Sequence, residues 1–274
     1  MLVKPRGQEA AEALRHELGL GYGPIDVFAV IRALGYELYR GRFPDDNVDG
    51  ALRQQGGVRF VLIDSAVAIT RQRFTAAHEL GHARLEPLSD GTEFVENNVE
   101  SAAGANGDER EANIFAAYLL MDARGVRDLV EKLPDERQRV AAVASVFMVS
   151  PKTAAIHLRD LGLISNAALN ELCVDLDQGW IKPQKLLDQY GYKMAATDQL
   201  PAAERLDPAH RARALRFYRE EGFTLAGLAD ALALTIVETR ALLLRGRIEI
   251  RDELATADSE PDYDAVIDLG KELG

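Results

Sequence analysis

The chain has 274 residues, is 47% apolar and 28% charged, and carries a formal net charge of -12. That length can bury a real core without cross-links, and a single cysteine, Cys173, excludes an internal disulfide and fits a reducing compartment. No apolar run approaches the ~20 residues needed to span a bilayer, and the acidic balance disfavours nucleic acid while suiting a basic protein partner.

Met1–Glu17 lacks the apolar stretch of a secretory leader, so a cytoplasmic location is expected. Residues 8–20 are rich in helix formers and run into a glycine-rich turn at Gly19–Gly23. Pro24 and Asp26 open a second helix to about Leu34, with Gly35 as its C-cap. Gly50–Arg53 and Val58–Asp64, separated by Gln-Gln-Gly-Gly, read as a hairpin. A helix is predicted over 70–85, then an irregular acidic stretch over 86–108, then an apolar helix over 109–121. Further helices are predicted over 123–131 and 135–147. Another starts at Ser150-Pro151, since proline suits the first helical turn. Beyond Ser165 the composition stays helical, with helices over 208–220 and 224–246. The tail, 252–274, holds eight acids against one lysine and reads as solvated.

The chemistry sits in Arg71-Gln-Arg-Phe-Thr-Ala-Ala-His78-Glu79-Leu-Gly-His82. On a helix, His78 and His82 lie one turn apart on one face, where two neutral imidazoles suit Zn²⁺. Glu79 stands beside them as a carboxylate that can take a proton from water and pass it to a leaving amine. The plainer alternative is a surface helix with two solvated histidines. A catalytic zinc takes a third protein ligand, and Glu109 is the leading candidate. Glu109, Asn113 and Ala116 share one helix face, Ala112 and Ala116 allow close approach to the first helix, and Asn113 can orient a ligand histidine. Glu111 projects about 200° away around the helix and is the weaker choice.

These segments resemble the ImmA/IrrE family of metallopeptidases. The matching features are R-Q-R-F-T-x-x-H-E-x-G-H at 71–82 and E-x-x-A-N-x-F-A-x-x-L-L-M at 109–121. A weaker match runs from Phe147 to Leu163. The resemblance covers about residues 22–165. It implies a zincin-like fold with His78, His82 and Glu109 on Zn²⁺ (Mn²⁺ as the alternative metal) and Glu79 as the catalytic base. It also implies a protein substrate, a helix-turn-helix repressor cleaved in a stress or mobile-element response. This chain departs from the family in two places. Asp122 stands where a proline usually follows Leu-Leu-Met, and the stretch between His82 and Glu109 is long.

The acidic stretch 86–108 carries Glu86, Asp90, Glu93, Glu96, Glu100 and Asp108 with no basic residue. It reads either as a solvated loop or as a flap that attracts a basic substrate. Residues 224–243 match a helix-turn-helix spacing, with Leu228 and Ala229 inward in the first helix, Leu234 at the turn, Val237 and Leu243 inward in the second, and Thr235, Glu238, Thr239 and Arg240 offered outward by the second helix. The alternative is a packing module for a partner. Trp180 is expected as a packing anchor, Cys173 as a packed residue, and His157 and His210 as structural or surface histidines.

The expected architecture is α+β. A zincin-like metallopeptidase domain with a small antiparallel sheet occupies 1–165, and a mostly helical domain occupies 166–274. The Val58–Ile63 strand is expected to offer an edge for extended substrate. The rival function is a non-catalytic regulatory protein, DNA-binding or antitoxin-like, that retains the metal fold.

Overall fold

The computed structural model describes residues 4–41, 48–55, 57–86, 91, 93–97, 107–193, 208–220, 223–232 and 236–250. The chain divides into two compact units. The first comprises Met1–Val30, Ala68–Pro87 and Val99–Asp198, and the second Ile31–Val67, Leu88–Asn98 and Gln199–Gly274.

The first unit is helical. It is built from α1 (Arg6–Glu17), the start of α2 (Val27–Ala33), α3 (Ile69–Leu85), α4 (Gly107–Leu120), α5 (Ala123–Val130), α6 (Glu136–Phe147), α7 (Pro151–Asp160), α8 (Asn166–Asp177) and α9 (Pro183–Gln189). Helix α3 is its centre, because α3 buries residues around its whole circumference, from Thr70 and Arg73 to Leu80 and His82. Helix α4 meets it through the apolar face Ala112, Phe115, Ala116, Leu119 and Leu120, a one-sided helical stripe. Gly81 allows the approach: a Cβ there would sit 3.1 Å from Ala112 Cα and 3.1 Å from Phe115 Cδ1. Buried polar groups on a central helix need partners, and Arg73 finds three carbonyls. Its guanidinium donates to Ile25 at 2.9 Å, Met148 at 3.2 Å and Phe147 at 3.4 Å. Met148, the C-cap of α6, adopts the left-handed conformation at φ 55°.

Local signals explain the helix starts. Asp122 caps α5 by accepting from the Arg124 and Gly125 amides, which accounts for an acid where a proline was expected. Asp135, Ser150 and Ser165 cap α6, α7 and α8 in the same way. Helices α8 and α9, beyond Ser165, pack on α6 and α7, with Arg137 bridging to Glu171 and Asp175. Trp180 is 72% exposed and anchors no core.

The second unit holds a four-stranded sheet, β1 (Glu37–Gly41), β2 (Val48–Gln55), β3 (Val58–Asp64) and β4 (Glu93–Asn97), in the order β1-β3-β2-β4. The predicted hairpin is β2 with β3, antiparallel. The sheet as a whole is mixed, because β1 pairs with β3 in parallel. Strand β3 is therefore interior, hydrogen-bonded on both sides, and offers no edge for a substrate, which corrects the expectation from the sequence. Part of the acidic stretch is ordered as β4, which pairs antiparallel with β2. The remainder of the expected flap, 87–90, 92 and 98–106, and the acidic tail lie outside the described residues.

The same unit contains α10 (Pro208–Arg219), α11 (Leu225–Ala231) and α12 (Ile236–Arg245), which share a core of Ala214, Tyr218, Leu225, Leu228, Leu232, Leu242 and Leu243. The helix-turn-helix register expected here does not hold. Val237, expected inward, is 76% exposed, and Thr239, expected to face outward, is fully buried. Among the described residues no single helix is long and apolar enough to cross a membrane.

Candidate metal centre

The two histidines of α3 meet as the spacing predicts. Their rings stand edge to face with centroids 4.7 Å apart, and the two Nε2 atoms are 3.0 Å apart. Glu109, in the first turn of α4, brings one carboxylate oxygen to each: Oε2 lies 3.2 Å from His78 Nε2 and Oε1 lies 3.3 Å from His82 Nε2. One ligand atom from each of the three residues falls within 4.8 Å of the others. His78 is fully buried and His82 is 3% exposed. The Glu109 side chain is 33% exposed, so the cluster is not wholly sealed from solvent.

The outer nitrogens fix how the rings face. His78 Nδ1 lies 3.0 Å from Asn113 Oδ1, and His82 Nδ1 lies 3.0 Å from Glu86 Oε1. Both partners can accept a hydrogen bond from Nδ1–H, which suits each Nε2 to a cation when one is bound. Two lone pairs and a carboxylate then converge on one point, an arrangement that a cation satisfies. Tetrahedral ligands at ~2.0–2.1 Å from a zinc stand about 3.3 Å from one another, close to the separations found here. The donor set fits a metal ion.

His78, His82 and Glu109 come together, and Asn113 reaches His78 as expected. Glu79 lies on the same helix and is fully buried. Glu111 points elsewhere: its Oε2 accepts the Gly7 amide of α1 at 2.6 Å, satisfying a helix N-terminus. Sequence reasoning missed Glu86 as the partner of His82, although the i, i+4 spacing from His82 was legible. It also missed Arg73, the anchor of α3.

Residues 31–159 match the model of the Peptidase_M78 family, described as the IrrE N-terminal-like domain. Over those residues the chain is similar to the ImmA/IrrE metallopeptidases. The radiation response metalloprotease IrrE of Deinococcus radiodurans is 31% identical over 112 residues, 41% of this chain and 34% of that protein. The protein of the same name from Deinococcus deserti is 31% identical over 161 residues, 57% of this chain and 56% of that protein. The chain thus spans about a third of one of these relatives and just over half of the other. Within the matched residues, helix α3 carries the H-E-x-x-H motif, and α4 carries Glu109.

Proposed function

We propose that this chain is a zinc-dependent endopeptidase whose substrate is a helix-turn-helix transcriptional repressor, cleaved in a stress response. The observation that carries the reading is the convergence of His78, His82 and Glu109, with both histidines on a helix that also carries the buried Glu79. His78, His82 and Glu109 would hold the metal, which when bound supplies Lewis acidity at a scissile carbonyl.

The chain's own residues do the rest. Glu79 Oε accepts the proton of the attacking water and delivers it to the leaving amine, a role worth ~10²–10⁴ in rate. Asn113 and Glu86 hold the two imidazoles in the tautomer that leaves Nε2 available. Mn²⁺ is the alternative metal, since carboxylate and imidazole ligands also suit it. A binding-only protein would need the fold but not a carboxylate at Glu79.

The substrate assignment rests on the family resemblance, and the stress response on the two Deinococcus relatives, named as radiation response metalloproteases. A repressor is also a basic partner for a chain of net charge -12. We assign partner selection to the helical part beyond Ser165, where α12 leaves Val237 and Leu244 exposed. The test is incubation of the full chain with a purified repressor from a neighbouring gene, with and without Zn²⁺, followed by mass spectrometry. Discrete metal-dependent fragments are expected. An intact repressor in the presence of Zn²⁺ contradicts the substrate assignment.

A further inference from the structure

Glu86 occupies an unusual position at the end of α3. Pro87 follows it, and a residue before proline is driven out of the helical region. Glu86 accordingly adopts φ -122° and ψ 138° as the helix C-cap, while its amide still donates to the His82 carbonyl at 2.9 Å. Its carboxylate turns back to the same residue, with Oε1 3.0 Å from His82 Nδ1. Glu86 therefore grips His82 at the backbone and at the ring.

The two histidines are held differently. His78 leans on a neutral amide supplied by another helix, Asn113 of α4. His82 leans on a carboxylate four residues along its own chain, at the end of α3. A carboxylate accepting from Nδ1–H fixes the tautomer and turns Nε2 toward His78 and Glu109. We infer that Glu86 is a positioning residue for His82, fixing its ring and strengthening it as a metal ligand. This rests on the reading of the cluster as a metal centre. The competing role is a helix-end contact that stiffens the last turn of α3. That role would change the stability of the metal-free protein and leave its metal affinity alone.

The experiment titrates Co²⁺ into the metal-stripped full chain, read by visible absorption, for the wild type, Glu86→Gln and Glu86→Ala. Thermal unfolding of each metal-free protein is measured alongside. Glu86→Ala is expected to bind Co²⁺ ~10–100-fold more weakly, with altered absorption bands. Glu86→Gln, which keeps the shape and an acceptor oxygen but loses the charge, should fall between the two. The metal-free unfolding temperatures should coincide. Wild-type affinity and bands in both variants would overturn the inference while leaving the metal centre standing. Weaker binding that only follows a loss of metal-free stability in both variants would also overturn it. A wild type that binds no Co²⁺ would remove the metal centre itself, and Glu86's role with it. Should Glu86→Ala fail to fold, Glu86→Gln decides alone.

Discussion

Acidification should destabilise the fold through His157. This side chain lies on α7 at 2% exposure, its ring edge-on to Tyr118 at 4.8 Å between centroids. The ring bonds to the Met121 backbone, and its Nε2 is buried without a partner. Burial is the main cause that lowers its pKa from 6.5 to about 4, against the raising effect of the Met121 bond and Asp160. The native state thus favours the neutral ring. Between pH 6.5 and about 4 the unfolded chain binds the extra proton, so stability rises with pH across that window and is lost as pH falls through it. Each pH unit is worth about 1.4 kcal/mol, which makes the full loss about 3 kcal/mol. The assay is urea unfolding of the metal-free protein at about pH 7 and about pH 4.5, comparing wild type with His157→Gln. The wild type should lose about 2–3 kcal/mol more than the variant over that interval. Parallel losses in the two proteins would refute the reasoning, because the ring would then titrate equally in both states.

Arg73→Met keeps the aliphatic stem but strips the guanidinium from the Ile25, Phe147 and Met148 carbonyls, and should cost about 2–4 kcal/mol in urea unfolding. Gly7→Ala should destabilise by about 1–3 kcal/mol despite the better helix propensity. The new Cβ would overlap the Glu111 carbonyl oxygen and lie 2.9 Å from Phe115 N, and both are backbone atoms of α4 that cannot yield alone. Glu109→Ala should abolish stoichiometric metal, measured by elemental analysis after dialysis. Its effect on metal-free stability should be small, since that side chain is one-third exposed.

The site was legible in the sequence because its chemistry is local. His78 and His82 share a face by the period of one helix, and Glu109 and Asn113 share a face by the period of another, so only the meeting of the two helices had to be supplied. Small residues at Gly81 and Ala112 announced that meeting. The sheet was less legible. The β1–β3 pairing is parallel and non-local, and nothing within Glu37–Gly41 declares its partner. In β4 the two flanking acids of Glu-Phe-Val-Glu-Asn masked a strand that the backbone nonetheless forms. The helix-turn-helix register failed at Val237 and Thr239 because apolar residues lie on more than one side of α12, so periodicity alone did not fix which face is inward. Glu86 was overlooked because it was read as the first acid of the acidic stretch, whereas the helix cap returns its side chain to His82.

The central claim is that His78, His82 and Glu109 hold a metal while Glu79 moves the proton. The most direct measurement pairs metal content with cleavage of a protein substrate for the wild type and Glu79→Gln. Glutamine preserves the shape of a fully buried side chain and removes its basicity. The account predicts one bound metal per chain in both proteins and a ~10²–10⁴-fold lower cleavage rate in the variant. Undiminished cleavage by metal-loaded Glu79→Gln would contradict it.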